Sequence, residues 1–262
     1  MTTFLHQYSD EIIYPSSDGE PMAESDPARD YLIYGVEALD IYFQDCADVY
    51  VSGNLFIYYR QGVPSAVVAP DVFVVFGVPK RQRLSYKVWE EEGVVPSFVL
   101  EITSRTTQGV DEEEKPDKYA RLGVLEYFQY DPSGHYLTPH HLKGSRLVEG
   151  RYHPLPGTVL PEGVFSIHSQ TLGLDLRVQD GALRFYDPRT GQKLLSPKEM
   201  NVARQQAEQA RLQAEQARLQ AEQAQRDAVP RLQKLGLTIE QVAEVLGLSQ
   251  EDVRAFWQED EP

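Results

Sequence analysis

The sequence predicts an α/β protein: a mixed β-sheet core flanked by helices, followed by a long C-terminal helix and a helical hairpin. Three observations carry the prediction. Short β-forming runs punctuated by glycine and proline occupy much of the chain between Asp48 and about residue 195. One helical stretch, EEEKPDKYARLGV, falls between two of these runs, as a crossover in a sheet with mixed or parallel pairing would. Beyond Pro197 the composition changes abruptly to a seven-residue repeat.

Taken in order, residues 1–20 form a polar, turn-rich arm of a core domain spanning 1–197. In ESDPARDYLIYGVEALDIYFQD, Leu32, Val36, Leu39 and Phe43 recur at helical spacing. Ser25 or Asp26 supplies an N-cap, and Pro27 suits the first turn, where a missing N–H does no harm. DVYVSGNLFIYYRQGVPSAVVAPDVFVVFG reads as the strands of a meander or hairpins, PSFVLEITS as a buried strand, and LEYFQYDP as another. Further short strands follow to about residue 195. The WEEEG run at Trp89 reads as a solvated loop, and His140 and His141 as loop residues without metal-ligand spacing.

From Arg204 to Ala224 the chain repeats RLQAEQA-like heptads. Alanines 207, 210, 214, 217, 221 and 224 make a small-residue seam, and Leu212 and Leu219 fall off it. Arg–Glu pairs at i,i+4 support a helix even in solvent. A self-associating coiled coil over 198–229 and a single solvated helix both remain open. Pro230 is expected to end or kink that helix. Residues 230–262 read as a hairpin turning at Gly247, with Gln250, Glu251 and Asp252 opening its second helix. Acidic residues there repel phosphate, so the hairpin suits protein contact better than DNA.

A content of 41% hydrophobic residues suffices for an ordinary core. A net charge of −15 argues against a broadly basic nucleic-acid-binding surface, so a function on DNA needs a local site or metal ions. The single cysteine, Cys46, allows no intrachain disulfide. With no basic-then-apolar leader and no apolar run near the roughly 20 residues of a membrane span, the chain reads as cytoplasmic.

Chemistry concentrates between residues 70 and 119. Asp71 follows a proline at the mouth of an apolar strand, and Glu101 lies inside the apolar run FVLEITS. A carboxylate in such a place costs free energy unless paired, hydrogen-bonded or holding a cation. Alternation puts Phe98, Leu100 and Ile102 on one face and Val99, Glu101 and Thr103 on the other; in a sheet covered on both sides Glu101 is internal. Asp111, Lys115 and Tyr119 recur every four residues, on one helix face. Two strand-borne carboxylates can share Mg²⁺, which takes oxygen ligands and keeps waters in the remaining positions. A backbone carbonyl beside the second carboxylate, that of Ile102, completes such a set, and a nearby lysine can hold or deprotonate water. Ser104, Thr106 and Thr107 suit capping of the helix that follows, and Tyr119 suits packing onto the sheet.

Pro-Asp, then about 30 residues, then Glu-x-x resembles the PD-(D/E)XK restriction-endonuclease-like superfamily. VAPDVFVVFGVP and PSFVLEITSRTTQGVDEEEKPDKYARLGVLEYFQYDP are similar to the Uma-two family of endonucleases within it, over roughly residues 20–195. The resemblance implies a restriction-endonuclease-like fold. It also implies Mg²⁺- or Mn²⁺-dependent hydrolysis of nucleic acid, DNA foremost, with Asp71, Glu101 and Ile102 at the metal and Lys115 at the attacking water. Two positions depart from the pattern. Thr103 stands where the superfamily has its lysine, a role Lys115 takes in the Uma-two pattern, and Ala28 stands where related sequences carry a first-helix histidine. A second reading keeps the fold without catalysis, as a regulatory protein assembling through its helical tail.

Overall fold

A computed structural model of the chain describes residues 12–16, 25–103 and 114–257. Two compact units emerge, Met1–Pro197 and Lys198–Pro262.

In the first unit, α1 runs from Asp26 to Tyr42. Ser25 is its N-cap, accepting from the Ala28 N–H at 3.4 Å, and Pro27 sits in the first turn. A six-stranded sheet follows, built from β1 (Val49–Ser52), β4 (Val72–Phe76), β6 (Phe98–Ile102), β7 (Glu126–Tyr130), β8 (Leu142–Val148) and β9 (Arg151–Pro154), in the order β1-β4-β6-β7-β8-β9. Within this sheet β6 and β7 pair in parallel and the other described neighbours antiparallel, and the helix between β6 and β7, α2 (Lys115–Leu122), supplies the crossover that parallel pairing requires. Gly123 ends α2 in the left-handed region at φ 92°, which a side chain would resist. A small sheet joins β3 (Val67–Val68), β2 (Ile57–Tyr58) and β5 (Tyr86–Lys87). A second antiparallel sheet runs β10 (Gly157–Val159), β11 (Phe165–Ser169), β12 (Leu174–Gln179) and β13 (Ala182–Tyr186).

The central sheet is covered on both faces, as the alternation in FVLEITS requires. Val72, Val74, Phe98, Leu100, Ile102, Phe128 and Tyr130 pack with Tyr34 and Leu39 of α1 and with Leu174, Leu176 and Phe185 of the second sheet. On the opposite face Phe73, Val75, Val99 and Tyr127 pack with Tyr119 of α2 and with Ile57 and Tyr86 of the small sheet. Each such buried side chain contributes about 1.5–3 kcal/mol, so a charged group in either layer must be compensated locally. Glu126 is fully buried and illustrates this. It accepts from Arg146 at 3.0 Å, from the Ser169 hydroxyl at 2.5 Å and from the Gln170 N–H at 3.1 Å, tying β7 to the turn after β11.

The WEEEG run is not wholly solvated. Glu91 is buried, held by Arg81 at 2.6 Å and Arg83 at 2.9 Å, because Arg83 itself lies under Tyr50 and Tyr86 and brings its carboxylate partner inward. A groove of about 910 Å³ lies beside these cations, lined by Val36, Asp40, Tyr50, Ser52, Lys80 and Arg81 among others. Lys80 there pairs with Asp40 at 3.0 Å.

In the second unit, α3 spans Pro197–Lys234 and continues through Pro230 instead of ending there. A proline inside a helix costs about 3 kcal/mol. The offset is an apolar cluster in which Val229 and Leu232 of α3 meet Val242, Val253, Phe256 and Trp257. Those partners come from α4 (Ile239–Leu246) and α5 (Gln250–Phe256) and the residue after it. Thr238 and Gln241 form a capping box at the start of α4, and Ser249 caps α5. The expected turn at Gly247 is left-handed, with φ 66°. The hairpin is therefore two arms of a three-helix cluster completed by the end of α3.

Candidate active site

β4 and β6 run antiparallel with Val72 opposite Leu100. One more step along that register sets Asp71 opposite Glu101, so both side chains leave the same face of the sheet. Asp71 is held at the strand mouth by its neighbours' backbone. The Asn54 N–H donates to the Pro70 carbonyl at 2.9 Å, and a Cβ on Gly53 would lie 2.2 Å from the Asp71 carbonyl oxygen. Only glycine lets the loop after β1 approach that closely.

Asp71 Oδ2 accepts from the Ile102 N–H at 2.7 Å. The side chain thus takes the place of a ladder acceptor where β4 begins. A further step of the register puts Pro70 opposite Ile102, and proline has no N–H to donate to the Ile102 carbonyl.

Glu101 is fully buried. Lys115 Nζ donates to its Oε2 at 2.7 Å, and the Tyr119 hydroxyl donates to its Oε1 at 2.5 Å. Lys115 opens α2, with Pro116 in the first turn where its missing N–H is harmless, so the i,i+4 pair Lys115 and Tyr119 presents both donors from one helix face. The Lys115 side chain keeps 22% of its surface exposed, so the ion pair stands at the rim of the buried layer.

Burial pushes the Asp71 carboxyl well above the ordinary carboxylate range, and the negative charge of Glu101 pushes it further; the Ile102 N–H and Lys115 oppose both. Burial and then Glu101 likewise push the Tyr119 phenol well up, which keeps it a protonated donor. Among the described residues two carboxyl groups thus face one lysine ammonium, an imbalance that a proton held by Asp71 or a further cation relieves. The Thr103 hydroxyl adds a buried oxygen with no hydrogen-bond partner among the described residues. The two carboxyl groups and the Ile102 carbonyl offer oxygen only, which suits Mg²⁺ or Mn²⁺. Among the described residues no three His, Cys, Asp or Glu side chains gather into a cluster, so water would fill much of the shell.

The structure therefore brings Asp71, Glu101, Ile102 and Lys115 together. Tyr119 was expected as a packing residue; it packs, and its hydroxyl also reaches Glu101, a contact its four-residue spacing from Lys115 allows. Asp111, Ser104, Thr106 and Thr107 lie outside the described residues. His140 stacks on Phe165 at 3.9 Å between centroids, and His141 Nδ1 lies 3.2 Å from the Asp131 carbonyl oxygen; both serve local packing.

The model of a protein family, Uma2, described as "Putative restriction endonuclease", matches residues 6–179. No curated protein matches the chain. Among solved structures, a putative nuclease belonging to DUF820 from Anabaena variabilis is similar at 12% identity, with a TM-score of 0.38, over 54% of this chain and 74% of that one.

Proposed function

Since the chain belongs to the Uma2 family, we propose that it is a divalent-metal-dependent endonuclease hydrolysing phosphodiester bonds in nucleic acid, DNA foremost. The observation that carries the reading is the buried Glu101, with Lys115 and Tyr119 on its two oxygens and Asp71 directly across the strand pair.

In this reading Asp71, Glu101 and the Ile102 carbonyl hold Mg²⁺ or Mn²⁺. When bound, such an ion offsets charge on the phosphate and lowers the pKa of water. The Ile102 N–H fixes the Asp71 carboxylate, and the Tyr119 hydroxyl fixes Glu101, so neither reorients as substrate arrives. Lys115, at the partly exposed rim, orients the attacking water and stabilises negative charge as it develops. The proposal includes a cytoplasmic location and self-association through residues 198–229. A second reading, a non-catalytic regulatory protein of the same fold, is favoured by the net charge of −15 and by Thr103 at the superfamily's lysine position.

Calorimetric titration with Mn²⁺ and a cleavage assay on plasmid DNA separate the two. The nuclease reading expects Mn²⁺ binding that Asp71→Ala abolishes, and cleavage that EDTA stops. It expects Lys115→Ala to keep the metal while cleavage falls about 10²–10⁴-fold. Wild-type protein that takes up no Mn²⁺ and leaves the DNA intact establishes the regulatory reading instead.

A further inference from the structure

Three registers, read together, extend the site beyond its carboxylates. Asp71 lies across from Glu101; Glu101 pairs with Gln129 of β7, and Gln129 pairs with Lys143 of β8. Directly paired residues share a face, so Asp71, Glu101, Gln129 and Lys143 form one polar row over four adjacent strands. One same-face row farther into the sheet, the first three strands carry Phe73, Val99 and Tyr127, all buried in the apolar layer. The switch from apolar to polar thus occurs in the same row on neighbouring strands. On β8 the residue level with Tyr127 is Ser145, so Lys143 joins the row by its pairing with Gln129.

The row is graded in exposure and in charge. Glu101 is wholly buried, Gln129 is 8% exposed, and Lys143 is open to solvent. Negative charge sits at the Asp71–Glu101 end, a neutral amide in the middle, and a cation at the far end. We propose that Gln129 and Lys143 seat the phosphate adjacent to the one cleaved, fixing how a nucleic-acid strand lies across the sheet. This rests on the nuclease reading above. Two strand spacings, about 10 Å, separate the backbone of Glu101 from that of Lys143. A lysine's flexible four-carbon stem can close that gap toward a neighbouring phosphate. The amide of Gln129 donates to phosphate oxygen without carrying charge, which suits its buried position between the carboxylate and the ammonium.

The test is binding of a labelled DNA oligonucleotide to the full chain over a series of salt concentrations, with Ca²⁺ in place of Mg²⁺ to hold back cleavage. Each phosphate neutralised contributes about 0.7–0.9 to the slope of log affinity against log salt. Lys143→Met is expected to weaken binding about five- to tenfold and to reduce the slope by about one phosphate contact, with Lys143→Arg restoring both. Lys143 is exposed, so neither variant endangers folding. An unchanged slope in Lys143→Met overturns the proposal, as does a wild-type chain that binds no oligonucleotide. Failure of the nuclease reading looks different: the wild type binds with the full slope yet cuts nothing when Mg²⁺ is supplied.

Discussion

At Asp71 a single carboxyl group meets burial, the charge of Glu101, the Ile102 N–H and the Lys115 ammonium, and the first two prevail. The folded protein therefore holds that proton to a higher pH than the unfolded chain, where an aspartate titrates near about 3.9. Where the folded state binds more protons than the unfolded one, stability falls as pH rises. Asp71 thus contributes a penalty that is absent below the unfolded pKa and complete above the raised folded value. Asp71→Asn keeps an oxygen for the Ile102 N–H and removes the charge. Its Tm should exceed that of the wild type by an amount that grows as pH rises out of the ordinary aspartate range. Mn²⁺ should shrink the gap by stabilising only the wild type. Thermal scans of both proteins in matched buffers measure this; curves that stay parallel over that rise in pH would rule it out. Asp71 and Glu101 were legible in the sequence because a carboxylate inside an apolar run is conspicuous. The bond from Ile102 to Asp71 was not, since it depends on strand register, which residue types alone leave open.

Among the elements, the start of β4 sets the site. Pro70 cannot donate to a ladder, Asp71 substitutes its side chain as acceptor, and Gly53 lets the preceding loop lie against both. Gly53→Ala would place a methyl group against the Asp71 carbonyl, a backbone atom that moves only if the strand mouth moves. The expected result is a destabilisation of about 1–3 kcal/mol by urea denaturation, together with weaker Mn²⁺ binding. Wild-type stability with wild-type metal affinity would show that the loop has room to spare. The helix between β6 and β7 was legible from the four-residue spacing of Lys115 and Tyr119 and from its place between two strand-like runs. Persistence of α3 past Pro230 was not, because the cluster that offsets the proline draws on residues as far as Trp257, 28 positions downstream of Val229.

Over the whole molecule, the crossover helix between two strand-like runs suited a sheet with mixed or parallel pairing, and the sheet is mixed; the composition break at Pro197 coincides with the boundary between the two compact units. The partition of strands into three sheets was not legible. The runs after residue 150 have ordinary β composition, and their pairing into β10–β13 is decided by which apolar faces meet. Each unit has its own apolar clusters. Deleting residues 198–262 should therefore leave the thermal transition of the remaining unit in place and, if the alanine seam pairs chains, lower the mass seen by light scattering. A shortened chain that no longer unfolds cooperatively would show that the units depend on each other.

Every residue from 201 to 224 is exposed, so that length of α3 is held by its own hydrogen bonds and by Arg–Glu pairs such as Arg218–Glu222 at 3.4 Å. Such pairs contribute only about 0.2–0.5 kcal/mol each. Individual turns there can open without disturbing any packed layer, whereas β6, buried on both faces, opens only when the core does. Amide hydrogens along this stretch of helix will exchange with solvent long before those of Val99 and Leu100. Trypsin will find Arg204, Arg211 and Arg218 while the central sheet is still closed to it. Proteolysis within that helix would part the two units and leave the polar row across the sheet uncut.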